Sequence, residues 1–287
     1  MMRFPPLFAL ALLVAALLLA IPARGDEPAP PGSWPMFAFE NGMRDMSPLE
    51  RIALLSELGY DGIGSASPAN LAERLALYEA AGLEIFSLYL GMEAFSDRYE
   101  IKPGVVEAIA QLSGHGETTV IELFVAGERD NDTVREQAVA GVREVARLAK
   151  SSGLRVVLYP HTGFHIDTVG GAYELAQVVD RQNVGVMFNL CHFLKVEPES
   201  DLADTLQSVA PLLWRVSTSG GDKGGTDWKA LIQPLDQGSF SQAELVKLLD
   251  EIHFDGAIGL QCFGIEEAPD VHLAGSMATW RILRSIE

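Results

Sequence analysis

Between residues 35 and 287 the sequence alternates short apolar runs with stretches of helical periodicity, eight times over. Runs at 35–40, 61–64, 83–90, 118–125, 154–159, 184–188, 212–217 and 257–261 read as strands. They are apolar almost throughout, as strands are when both faces of a parallel sheet are covered. The segments between them carry helix start and stop signals. Ser47-Pro48-Leu49-Glu50 is a capping box with proline at the first helical position, ahead of a stripe of Ile52, Leu55 and Leu58. Ser67-Pro68 caps the next helix, and Ser241-Gln242-Ala243-Glu244 is a second capping box. Gly59, Gly82 and Gly153 close helices. At roughly 32 residues per unit, this pattern predicts a single-domain (β/α)8 TIM barrel. Two helix-to-strand joints recur. Leu58-Gly59-Tyr60-Asp61-Gly62-Ile63-Gly64 echoes His253-Phe254-Asp255-Gly256-Ala257-Ile258-Gly259, and Ala81-Gly82-Leu83-Glu84-Ile85 echoes Ser152-Gly153-Leu154-Arg155-Val156. Repetition of this kind favours a closed barrel over an open doubly wound sheet. An open sheet would carry a Gly-rich phosphate turn after its first strand, and Glu40-Asn41-Gly42-Met43 is not one.

The N-terminal segment stands outside this pattern. Arg3 precedes an apolar run from Leu7 to Ile21, and the small-residue stretch Pro22-Ala23-Arg24-Gly25 follows. The run is too short and too terminal for a membrane span. It reads as a secretory signal over residues 1–25, cleaved near Ala23 or Gly25, with an uncleaved anchor as the alternative. Residues 26–34 then form an extended leader and 35–287 the barrel. Such a chain is expected in the periplasm or outside the cell, free of the membrane once cleaved. The formal net charge is −18, and loss of Arg3 and Arg24 with the signal leaves 19 basic against 39 acidic groups, or −20. A surface this acidic repels phosphate backbones and argues against a nucleic-acid partner. Cys191 and Cys262 are the only cysteines, so the fold rests on its core rather than on a disulfide framework. The pair forms one bridge or stays as two buried thiols.

In such barrels chemistry sits where the strands end at their C-termini. Strand one ends in Glu40-Asn41, and strand four carries Glu122. Strand five ends in Tyr159-Pro160-His161, with His165 beyond, and strand six in Asn189-Leu190-Cys191-His192, with Lys195 beyond. Strand seven is followed by Gly220-Gly221-Asp222-Lys223, and strand eight ends in Gln261-Cys262. Three of the six histidines thus gather at strand ends five and six. Two imidazoles facing each other across a barrel mouth serve as base and acid near neutral pH.

These motifs resemble the xylose isomerase-like family of barrels, which includes sugar phosphate isomerases and epimerases and endonuclease IV. The resemblance is carried by Leu58-Gly59-Tyr60-Asp61-Gly62-Ile63, by Gly185-Val186-Met187-Phe188-Asn189-Leu190-Cys191-His192 at strand six, and by Leu235 to Phe240 with Phe254-Asp255-Gly256 and Gly259-Leu260-Gln261. It covers essentially all of 35–287. The resemblance implies a small-molecule sugar or sugar derivative as substrate, and a divalent metal (zinc, manganese or magnesium) at strand ends five to eight. Here those positions hold His161, Asn189 with His192, Ser217 and Ser219, and Gln261. Three places where the family has carboxylates are neutral, and an amide oxygen is a far weaker ligand. His161, Asn189, His192 and Gln261 are the candidate metal set. Asp222 or Glu122 would supply the missing charge if it points inward.

The sequence therefore predicts an exported sugar isomerase, epimerase or lyase that moves a proton beside a sugar carbonyl. His161, His192 and Glu40 are its catalytic candidates, and Glu122, Lys195 and Asp222 its substrate-binding candidates. The alternative is a degenerate barrel that binds carbohydrate without turning it over. Acidity, export and the thin metal set disfavour a DNA-repair nuclease.

Overall fold

The structure, a computed structural model, describes residues 33–285. The signal segment and the leader up to residue 32 lie outside the described residues. Trp34, expected in the leader, is buried, and its indole Nε1 donates to the Phe254 carbonyl at 2.6 Å. The packed barrel therefore begins one residue earlier than the sequence suggested.

Eight strands form the barrel: β1 (Met36–Phe39), β2 (Gly62–Gly64), β3 (Glu84–Ile85 and, past Phe86, Ser87–Ala94), β4 (Val120–Ala126), β5 (Arg155–Leu158), β6 (Val184–Asn189), β7 (Leu213–Thr218) and β8 (Ala257–Leu260). Each pairs in parallel with its sequence neighbours. Closure comes from β1 against β8, with Met36 opposite Ile258 and Ala38 opposite Leu260. The seam between β2 and β3 continues through a parallel bridge from Ala66 to Leu88. β3 runs four residues longer than expected because Tyr99–Ile101 folds back on it antiparallel, with Met92 opposite Ile101. No described helix is long and apolar enough to cross a membrane.

Of three apolar clusters among the described residues, two hold the barrel. The larger lies between strands and helices. The smaller fills the interior, where Phe37, Phe39, Phe86, Val157, Tyr159 and Met187 meet. Phe37 stacks on Phe86 with centroids 4.8 Å apart. These rings fit because β2 and β8 present glycine there. A Cβ on Gly64 would lie 2.1 Å from the Phe37 ring, and one on Gly259 2.5 Å from Phe39. Interdigitation of large and hydrogen-sized residues is how the interior closes without voids.

The capping box at Ser47 forms as expected, with Glu50 bonding back to the Ser47 N–H at 2.7 Å. Ser67 does not cap the following helix, which starts at Leu71. Its N–H donates to Glu40 Oε2 at 2.6 Å and its carbonyl accepts from Arg74, so the backbone there serves the barrel mouth instead. A helix at Leu190–Val196, absent from the sequence reading, follows β6 directly and carries His192 in its first turn. Both cysteines are free and buried, so the bridge alternative does not hold.

Candidate active site

A cavity of about 680 Å³ opens at the C-terminal ends of the strands. His161 and His192 both line it, with ring centroids 4.3 Å apart. His161 follows β5 and stacks on Phe164 at 4.1 Å. His192 packs edge-on against Trp228 at 5.1 Å and Tyr159 at 5.8 Å. Burial pulls the His161 imidazole below its ordinary range. Burial first, and the neighbouring His161 second, pull His192 down to about 3. Both rings are therefore neutral at neutral pH.

Thr162 assigns their tautomers. Its peptide N–H donates to His192 Nδ1 at 3.1 Å, and its hydroxyl lies 3.0 Å from the same nitrogen. A peptide N–H can only donate, so Nδ1 of His192 is an acceptor and the ring proton sits on Nε2. The Thr162 carbonyl lies 3.0 Å from His161 Nδ1. A carbonyl can only accept, so His161 is protonated on Nδ1 and its Nε2 keeps a lone pair. The site thus holds one basic imidazole nitrogen and one imidazole N–H donor.

The other catalytic candidate, Glu40, lines the cavity with both carboxylate oxygens engaged. Its Oε1 is held by Arg51 Nη1 and, at 2.9 Å, by Arg74 Nη2, and its Oε2 accepts the Ser67 N–H. Its work is to fix the β1 and β2 ends.

The three substrate-binding candidates fall outside the cavity wall. Glu122 is fully buried inside the barrel, and neither of its oxygens has a partner in hydrogen-bonding geometry. Burial pushes its carboxyl up to about 7, against the opposing pull of the Ser87 and Ser65 hydroxyls and the Arg215 guanidinium. Lys195 donates to the Thr226 carbonyl and lies 5.7 Å from the Trp228 ring centroid. It supports Trp228 from behind. Asp222 accepts from Ser239 N at 3.1 Å and Gln233 Nε2 at 3.0 Å, which pins the loop after β7. His165 bonds the Glu128 carbonyl at 2.7 Å and belongs to its loop.

The candidate metal set does not fit a metal. Gln261 Oε1 already accepts from Asn41 Nδ2 at 2.7 Å and from the Cys262 and Phe263 N–H groups at 3.0 Å each. Asn189 donates to Tyr159 Oη, and its Oδ1 accepts from Cys191 Sγ at 3.1 Å. Moving the His192 proton to free Nε2 for a metal would set two donors against each other at Thr162 N. Only His161 keeps an uncommitted ligand atom. Among the described residues no three His, Cys, Asp or Glu side chains gather in a metal-holding group.

Several site residues were given no role by the sequence reading. Thr162 acts through its peptide, which no side-chain pattern reports. Arg44, Arg51, Ser65, Trp228 and Phe263 come from loops and helix starts, and Tyr89 and Tyr159 line the wall as strand-end aromatics. Strand-end position pointed to the two tyrosines and to nothing else among these.

The family described as xylose isomerase-like TIM barrel matches residues 52–280. No curated protein sequence matches the chain. Among solved structures, the chain is similar to 3-keto-D-glucoside 4-epimerase from E. coli, at 16% identity and a TM-score of 0.68, covering 87% of this chain and 99% of that one. It is similar to D-psicose 3-epimerase with D-tagatose from Clostridium cellulolyticum H10, at 14% identity and a TM-score of 0.64, covering 87% and 99%. It is also similar to a xylose isomerase-like TIM barrel protein from Mycobacterium smegmatis in complex with magnesium, at 18% identity and a TM-score of 0.64, covering 88% and 97%.

Proposed function

The chain belongs to the xylose isomerase-like TIM barrel family, and from that premise we propose that it is a sugar isomerase, epimerase or lyase whose chemistry is proton transfer beside a carbonyl. The observation that carries this reading is the pair of neutral imidazoles 4.3 Å apart with complementary tautomers. His161 Nε2 takes the proton from the carbon next to the carbonyl. His192 Nε2–H donates to the carbonyl oxygen and holds the negative charge that develops there. The enediolate formed then takes a proton back. Return from His161 to the neighbouring carbon, with the hydroxyl proton passing from that carbon's oxygen to the carbonyl oxygen, gives an isomer; protonation of the same carbon on its opposite face, by water or after the enediolate turns over in the pocket, gives an epimer; and departure of a β-hydroxyl as water, with the proton held by His161, gives elimination. Proteins of this fold that process epimeric sugars support the substrate class. Magnesium in a further structure of this fold belongs to that protein; here the candidate ligand atoms other than His161 Nε2 are engaged by neighbouring residues, so no step is routed through a metal.

The test is solvent exchange. The protein is incubated in deuterated water with D-fructose, D-psicose and D-tagatose, and carbon-bound deuterium beside the carbonyl is followed by NMR. The expected result is exchange into at least one ketose, with a loss of about a hundredfold or more in His161→Gln, the range a general base supplies. Saturable sugar binding with no exchange in the wild type would favour the degenerate, binding-only barrel, a reading to which the neutral residues at strand ends six and eight lend weight. Export is a separate part of the proposal. It rests on residues 1–25 and is tested by sequencing the N-terminus of the secreted protein.

A further inference from the structure

We infer that the substrate carries a second sugar unit, seated across the barrel mouth from the histidine pair on a ledge formed by Asn41, Arg44 and Phe263. The inference rests on the proton-transfer reading above and names the substrate class for that site. The cavity, about 680 Å³, falls in the range of roughly 300–1,000 Å³ that encloses drug-sized ligands, and a single hexose fills only a fraction of it. It also spans the mouth. The histidines follow β5 and β6, whereas Asn41, Arg44 and Phe263 follow β1 and β8, and β1 lies opposite β5 in the closed strand order. On that far side the cavity meets a second one of about 650 Å³, and the same three residues line both.

Each ledge residue offers something a hydroxylated ring uses. Asn41 Nδ2 is committed to Gln261, while its Oδ1 is buried with no partner. A hydroxyl donated to that oxygen would satisfy it, and leaving such an acceptor empty is costly. Phe263 is 43% exposed although large and apolar. Its N–H is tied to Gln261 Oε1 at 3.0 Å, which holds the ring as a platform for a pyranose C–H face. Arg44 lies with its guanidinium carbon 5.4 Å from the Phe263 centroid and pairs with no carboxylate among the described residues. Its donors are free for ring and glycosidic oxygens.

The experiment compares solvent deuterium exchange for D-fructose with that for three of its glucosylated forms, turanose, maltulose and palatinose. The inference expects a kcat/KM at least about tenfold above that of fructose for one or more of the disaccharides. It expects Phe263→Ala to erase most of that ratio and Phe263→Trp, which restores a platform, to keep it. A thermal melt of each variant shows that the fold is intact. Equal kcat/KM for fructose and all three disaccharides, or a preference indifferent to Phe263→Ala, overturns the second-unit site and leaves the proton-transfer reading standing. Exchange with none of the sugars overturns that reading and the inference with it.

Discussion

The backbone of one residue divides the labour of the two imidazoles. Thr162 gives its N–H to His192 and its carbonyl to His161, so two residues of one type receive opposite roles. Backbone groups cannot exchange donor for acceptor, which makes this assignment more durable than one set by side chains. Glu122 shows the reverse case, a titratable group with no role at the mouth. Its folded carboxyl is raised from 4.5 to about 7 by burial. Between those values the folded chain keeps a proton that the unfolded chain has released. Stability contributed by Glu122 is therefore full below about pH 4.5 and is lost as pH rises through about 7. Urea titrations of wild type and Glu122→Gln at acidic and mildly alkaline pH should show the difference in unfolding free energy, wild type minus variant, falling by up to about 3 kcal/mol on going to alkaline pH. A difference that stays flat or rises with pH would contradict the buried, protonated state.

At the scale of elements, the apolar runs and their glycine joints carried most of the barrel. His253 shows why the joints read so well. It adopts φ +55 where the repeated joint has Gly59 at φ +79, so the backbone demands a left-handed residue whichever side chain occupies it. Interior packing was less visible, since strand periodicity says which residues point inward but not which ring needs which gap. Gly259 faces both Phe37 and Phe39, at 2.7 Å and 2.5 Å from its would-be Cβ. Gly259→Ala should cost about 1–3 kcal/mol, as overpacking does, read as a lowered midpoint in urea; an unchanged midpoint would mean that the two rings can give way. The site was half legible. Strand-end position brought His161, His192 and Glu40 to one cavity. It did not foresee the partners that engage Glu40, Lys195 and Asp222, because a side chain's partners depend on loops far away in sequence. Arg51 and Arg74 neutralise Glu40 from two separate helices. The helix at Leu190–Val196 was missed because its few apolar residues continue the run of β6 without a break.

For the whole molecule, the closed barrel places the ends of eight strands around one mouth, and where the resemblance implies carboxylates this chain has the amides Asn189 and Gln261, each engaged by neighbouring residues. The result is a pocket whose polar atoms are largely committed before any ligand arrives, with His161 Nε2, the His192 N–H and the buried Asn41 Oδ1 left without a protein partner. Such a site can polarise a carbonyl through a hydrogen bond where relatives of this fold are found with a metal. The measurement that reaches this claim most directly is the rate of solvent deuterium exchange into a ketose before and after exhaustive chelation, with metal content determined in both samples. The account predicts an unchanged rate after chelation and a rate lost in His161→Gln whether or not zinc, manganese or magnesium is added back. Exchange that disappears on chelation and returns with one equivalent of a divalent metal would contradict it.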